Sequence, residues 1–351
     1  MRFFTITTLG AFLLLVLANC TRTATLTVLQ PAKFTVPEHV SKLAVVDRSK
    51  PSNGWINVLE GVLTGEAIGQ DRRSREEAVA GLTEGLRNTP RFQVIPTGIE
   101  MTSTKGGVNM PAPLPWSEIE RICRDNGADA VVTIESFDSD NAVGTKRNES
   151  KSKDSKGKEV ITVTYNSNMR TGVRMGWRMY DPKTKNILDE FVTDDYLENT
   201  GSGSTERDAL NRLPSPTDIS RRVAWTGGQH YGMRIAPTYV NISRAYYTKA
   251  KGIKTQMKQG ARYAQGNSWD KAAIHWGRLY ETRKEERKAA GRIAYNMAVA
   301  AEMQGNLPIA LDWAKKSWEM HGNKKARGYI QTLLQRMDDE VRVERQLHKK
   351  A

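Results

Sequence analysis

The stretch EVITVTYNSNMRTGVRMGWRMYDPKTKNILDEFVTDDY, residues 159–196, decides the fold class. Its first seven residues alternate Val160, Thr162 and Thr164 against Ile161, Val163 and Tyr165, the period of a strand. Gly172–Tyr180 and Ile187–Tyr196 read as two further strands. They are joined by Asp181-Pro-Lys-Thr-Lys-Asn186, a turn with its proline early. Strands joined so tightly run antiparallel, so a β-meander is expected here.

Upstream, strands and helices alternate. Lys42-Leu-Ala-Val-Val-Asp47, Arg91-Phe-Gln-Val-Ile95 and Ala130-Val-Val-Thr-Ile134 are short β-branched runs. Between them, Arg72–Leu86 places Ala78, Val79, Leu82 and Leu86 at helical spacing. Ser117–Asn126 reads as a second helix, with Ser117 as cap, Glu120 three residues on and Gly127 as stop. Pro96 ends the preceding strand, and Thr97–Pro115, rich in Gly, Pro, Thr and Ser, reads as a loop. The run TKRNESKSKDSKGK at 145–158 has no apolar residue and predicts a mobile lysine-rich loop over 142–158. The expectation is an α+β chain whose N-terminal mixed α/β sandwich-type domain, 41–200, ends in the antiparallel meander.

Downstream, residues 201–250 read as a connecting helical segment. A Gly/Ser loop is followed by a helix from Thr217 through Tyr231, which Pro237 breaks. From 251 to 351 the chain turns Ala-rich. GARYAQGNSWDKAAIHWGRLYE (260–281) and GRIAYNMAVAAEMQGNLPIALDWAKKSWE (291–319) each hold a helix, a Gly-Asn turn and a second helix with tryptophan in its middle. This resembles the tetratricopeptide repeat, with Asn296, Ala298, Gly305, Ala310 and Ala314 on the motif's register. The resemblance implies a tetratricopeptide-like helical hairpin domain that holds partner peptides, with Trp276, Trp313, Tyr295 and Asn296 as candidate partner-binding residues. Lys325–Lys349 reads as its capping helix, with Ile330, Leu334, Met337, Val341 and Leu347 as the apolar stripe.

The N-terminus reads MRFFTITTLGAFLLLVLANC. Arg2 precedes a short apolar run that suits an export signal better than a membrane span. Leu17-Ala18-Asn19-Cys20 resembles the lipobox of bacterial lipoproteins, departing from it at Asn19. It implies a signal peptide over 1–19, a lipid on Cys20 and a tether over 20–40. Without acidic residues after Cys20, the periplasmic face of the outer membrane is the expected address.

The 351 residues carry a net charge of +14. That balance favours acidic partners, yet an exported chain is not expected to meet nucleic acid. The lysine-rich loop is a candidate for anionic headgroups. The five histidines and two cysteines include no set at zinc-ligand spacing, and no nucleophile-elbow or phosphate-loop motif occurs. No catalytic residue, metal, cofactor or small-molecule substrate is therefore expected. Cys123 falls on an apolar helical stripe and reads as core. In Trp225-Thr-Gly-Gly-Gln-His-Tyr231 the paired glycines leave room for a ligand at the backbone, with a tight packing contact as the competing reading.

The order strand–helix–strand–helix–strand–meander, carried by Lys42-Leu-Ala-Val-Val, Arg91-Phe-Gln-Val-Ile and Gly127-Ala-Asp-Ala-Val-Val, resembles two small α/β domains. One is that of the curli-secretion lipoprotein, the other the amino-terminal domain of the Tol translocation protein. The whole layout is similar to uncharacterised lipoproteins of Bacteroidota type. The expected function is a lipid-anchored, non-catalytic scaffold for other cell-envelope proteins. The alternative is an oligomeric structural component of an envelope secretion or cell-wall assembly.

Overall fold

The computed structural model describes residues 20–51, 67–87, 89–103 and 110–347. They divide into two compact units, one of residues up to Val28 with Asn241–Asp339, the other of Leu29–Val240 with residues from Glu340 onward. Both helices and sheets are present, so the chain is α+β.

The α/β unit is built on a five-stranded sheet. Its strands are β2 (Lys42–Pro51), β3 (Gln93–Ser103), β4 (Ala130–Lys153), β5 (Glu159–Asp181) and β6 (Asn186–Gly203), in the order β3-β2-β4-β5-β6. β2 runs parallel to β3 and β4, whereas β4, β5 and β6 pair antiparallel, the expected meander. Alternation along β2 splits the core. Leu43 and Val45 pack with Ala78, Leu82, Leu86 and Val223, the side of α1 (Ala67–Arg87) and α4 (Pro216–Ile235). Ala44 and Val46 pack with Ile119, Ile122 and Cys123 of α2 (Trp116–Asn126) on the other face. A short helix α3 (Glu206–Asn211) follows β6, its Thr205 side chain accepting from Asp208 N.

Several sequence expectations give way here. Residues 142–153 are not a loop: β4 and β5 keep register from Ser136↔Gly176 out to Lys153↔Glu159. A two-stranded ladder is held by backbone hydrogen bonds, so polar composition alone does not forbid it. Its tip is closed by Asp154, whose Oδ1 accepts from the backbone of Lys156 and Lys158, with Gly157 at φ +79°. β3 continues through Pro96 because it is an edge strand, where a missing N–H goes unused. α2 begins at Trp116 after Pro115, so Ser117 lies inside the helix and forms no cap, whereas Gly127 does end it at φ +62°. The first half of the tether is strand as well: β1 (Thr21–Gln30) pairs with β7 (Thr238–Tyr247), which stands where a connecting helical segment was expected.

The helical unit packs α5 (Lys254–Gln265), α6 (Trp269–Arg283), α7 (Arg287–Met303) and α8 (Leu307–Lys315) in sequence, with α9 (Lys324–Gln346) last. A π-helical turn, Lys316–Met320, follows α8. Its core is small and aromatic: Ala272, Ala290, Ala294, Ala298, Ala310, Ala314, Trp276 and Ile293 are fully buried. In α9, Ala326, Tyr329 and Leu333 are buried, and Ile330 and Met337 of the expected stripe pack half-buried against the same core. Leu334 and Val341 are exposed instead.

Candidate functional site

The stretch Trp225–Tyr231 lies on α4, and the competing reading of tight packing holds for its glycines. A Cβ on Gly228 would stand 2.1 Å from Ala78 O of α1, and one on Gly227 would stand 2.3 Å from Met175 Cε. Gly81 on α1 answers them, because a Cβ there would meet Trp225 O at 2.0 Å. The helices therefore meet backbone to backbone, and α4 is pressed onto the sheet. That approach stacks Tyr231 on Trp177 at 4.8 Å between centroids. It also brings His230 to Asp195 of β6, Nδ1 to Oδ1 2.7 Å.

His230 and Asp195 stand at the wall of a groove of about 420 Å³ between β6, α4 and residues 30–33. Phe191, Met233 and Pro31 supply apolar surface; Lys33, Asp194 and Arg234 supply charge. Arg234 lies 3.9 Å over the Phe191 ring and forks onto Asp189 at 2.8 and 2.9 Å. A carboxylate can only accept, so His230 donates from Nδ1, and a neutral ring keeps Nε2 as an acceptor. This pair could take a proton. However, none of the described hydrogen bonds joins His230 to a serine, threonine or cysteine. The Thr193 hydroxyl nearby accepts from Trp177 Nε1 at 3.1 Å and donates to Met175 O.

A second cavity, of about 520 Å³, is lined by His39, Glu120, Cys123, Asp129, Pro182 and Lys183. His39 Nε2 lies 3.0 and 3.1 Å from the two oxygens of buried Asp181. Burial, then the carboxylates of Asp129 and Asp181, push the Cys123 thiol up to about 11. A thiol so raised is no nucleophile at neutral pH, and Cys123 sits in the α2 core as expected. No group of three or more His, Cys, Asp or Glu that could hold a metal occurs among the described residues.

Three of the four expected partner-binding residues are core. Trp276 is fully buried, its indole against Gly260. Asn296, also fully buried, uses its amide as a strand would: Oδ1 accepts from Tyr247 N at 2.7 Å and Nδ2 donates to Tyr247 O at 2.8 Å. Tyr295 packs on Tyr247 and Tyr329. Trp313 alone is partly open, edge-on to Tyr280 at 5.0 Å with the Lys316 ammonium over its ring. Cys20 is exposed and directly precedes β1; its carbonyl accepts from Thr248 N at 2.9 Å. The signal-peptide reading of residues 1–19 lies outside the described residues.

Among the buried carboxylates that sequence reading missed are two glutamates, one in each unit. Glu135 on β4 meets Arg48 NH1 at 2.7 Å, the Tyr180 hydroxyl at 2.5 Å and Arg178 NH1 at 3.6 Å. Glu302 on α7 meets both arms of Arg244 at 2.7 and 2.9 Å, Arg336 at 2.9 Å and the Tyr329 hydroxyl at 2.5 Å. The signal was present, since Ala130-Val-Val-Thr-Ile-Glu135 and Ala298-Val-Ala-Ala-Glu302 each end an apolar run on a glutamate. A charge buried on such a run needs a partner.

Fold and groove together define an α+β chain of two units with an open groove at one edge of its sheet. The chain belongs to the family described as a domain of unknown function, DUF8603, which matches residues 40–247. A second domain of unknown function, DUF6340, matches residues 258–337. No curated protein matches. Among solved structures, a putative neuraminyllactose-binding hemagglutinin homolog from Helicobacter pylori is 12% identical over 57% of this chain and 89% of that one, with a TM-score of 0.25. The PelC dodecamer from Paraburkholderia phytofirmans is 10% identical over 61% and 99%, at 0.22. A hypothetical protein, CT253, from Chlamydia trachomatis is 12% identical over 55% and 96%, at 0.21. At such scores these likenesses carry no argument about this chain.

Proposed function

We propose that the chain is a lipid-anchored cell-envelope protein of the uncharacterised Bacteroidota type, acting as a non-catalytic scaffold for other envelope proteins. The observation that carries this reading is the position of Cys20. It is exposed, stands immediately before β1, and has its backbone tied to Thr248. A diacylated Cys20 would hold the folded body at the membrane surface with almost no leash, and several acyl chains make such an anchor stable. On this reading the protein faces the periplasm from the outer membrane. The helical unit is tetratricopeptide-like: Ala272 and Ala310 are both buried at the second helix of each pair, and Asn267 and Gly305 both take positive φ at the turns. Partner contact then falls to Trp313 and to the groove beside β6.

The test is a Cys20→Ala substitution in cells, read by membrane fractionation and the intact mass of the mature chain. A lipidated wild type in the outer-membrane fraction and an unprocessed or soluble variant support the anchor. Unchanged processing and location overturn it. One observation favours the alternative, an oligomeric structural component of an envelope assembly: the sheet has unpaired strand edges of opposite charge.

A further inference from the structure

β6 ends the sheet order, so among the described residues one side of its backbone has no strand beside it. Its residues 186–203 include Asp189, Glu190, Asp194, Asp195 and Glu198 and no lysine or arginine. β4 pairs with β2 only from Ala130 to Ile134, yet runs on beside β5 to Lys153. Among the described residues, 141–153 therefore have no strand on their other side. That edge carries Lys146, Arg147, Lys151 and Lys153 against Glu149. Part of the charge is answered within the chain. Asp189 pairs with Arg234, Glu190 with Arg178, Asp195 with His230, and Asp194 with Arg174 at 3.8 Å. Arg147 pairs with Glu149, and Lys151 with Glu159. Asp194 and Glu198 on one edge, and Lys146 and Lys153 on the other, are exposed to solvent.

Exposed edges are normally guarded by lysine, proline or a bulge. From Asp189 onward β6 keeps an unbroken register with β5, has no proline, lysine or bulge, carries carboxylates that guard only against another acidic edge, and exposes Phe191 and Tyr196. We propose that the β6 edge of one copy pairs with the β4 edge of a second copy, so that the sheet continues across the contact. Pairing of β6 with another β6 would set carboxylate against carboxylate, which is unfavourable. Basic against acidic edge is complementary. The two edges differ, so each copy uses both, and the assembly closes into a ring or runs on as a filament. This deepens the oligomer alternative by naming its contact, and it is independent of the lipid on Cys20.

The experiment is sedimentation velocity of the full chain in detergent, at low and high salt. Wild type is expected to associate at low salt and to dissociate as salt screens the edges. Asp194→Lys with Glu198→Lys, and separately Lys146→Glu with Lys153→Glu, should each weaken association by about tenfold or more. Mixing the two double variants should restore it, because each reversed edge then meets the other. A wild type that stays monomeric at low salt overturns both the contact and the oligomer reading. Oligomers indifferent to either reversal, or not restored by mixing, overturn the β6–β4 contact alone. If a reversed variant melts early, Tyr196→Cys and Ser150→Cys in otherwise wild-type chains decide the point. Disulfide-linked dimers between the two support the contact, and their absence under oxidation overturns it.

Discussion

Each unit of this protein buries a glutamate between two arginines and a tyrosine, but the two clusters are wired differently. In the helical unit, Arg244 and Arg336 both aim at Glu302, and that carboxylate joins β7, α7 and α9. In the α/β unit, the arginines are shared. Arg48 also donates to Ala112 O at 2.8 Å, and Arg178 to Pro111 O at 2.7 Å and to Glu190. The Tyr180 hydroxyl accepts from Leu114 N. The Glu135 cluster thus pins the chain at 111–114 across the sheet, with the arginines keeping partners of their own. The same chemistry serves as a single hub in one unit and as a distributed clamp in the other.

That difference predicts unequal costs. Glu302→Ala removes the carboxylate that two half-buried guanidinium groups share, leaving Arg244 its contact with Ser243 O, and should cost about 3–5 kcal/mol. Glu135→Ala should cost less, about 2–3 kcal/mol, because Arg48 and Arg178 retain carbonyls and Glu190. Urea unfolding followed by circular dichroism measures both, and equal losses would break the contrast. Next in size, Gly228→Ala forces a Cβ into the Ala78 carbonyl and should cost about 1–3 kcal/mol by overpacking. It should also open the His230–Asp195 contact, which the histidine ring signals in an NMR spectrum would report. Asn296→Ala leaves Tyr247 N and O without their partner and should cost about 1–3 kcal/mol by the same unfolding assay.

The smallest effect separates the units by pH. Burial, and then Glu135, push the Tyr180 phenol up to about 12. Burial, with Glu302 next, raises Tyr329 further in the same direction. For a phenol raised on folding, the stabilisation is fully present below the unfolded pKa, near 10, and is lost as pH climbs through the folded value. Stability of the α/β unit should therefore fall between about pH 10 and 12, and Tyr180→Phe should flatten that limb. Tyr329→Phe should flatten the corresponding limb of the helical unit. Limbs unchanged in both variants would show that neither phenol titrates with unfolding.

Much of the architecture was legible locally. β2, the meander, α1 and the paired helices on either side of Gly266-Asn267 and Gly305-Asn306 follow from side-chain period and turn chemistry. Residues 142–153 were illegible because a ribbon held by backbone bonds needs no apolar side chain. β3 ran past Pro96 because only the sheet order reveals an edge. The candidate groove was half legible: the glycines around His230 stood out, but its partner Asp195 is 35 residues away on another element.

By itself the sequence determined the α+β class, the change of composition near residue 250, the burial of Cys123 and the lipobox-like start, because each rests on neighbours in the chain. The tertiary structure alone decided that Trp276 and Asn296 are core rather than surface, that Glu302 is a hub and Glu135 part of a clamp, and that the β6 edge and the overhang of β4 carry opposite charge. The reason is physical: burial, ion pairing and edge exposure depend on which distant segments arrive beside a residue. The glycines that let α1 and α4 touch, for instance, are 147 residues apart at Gly81 and Gly228.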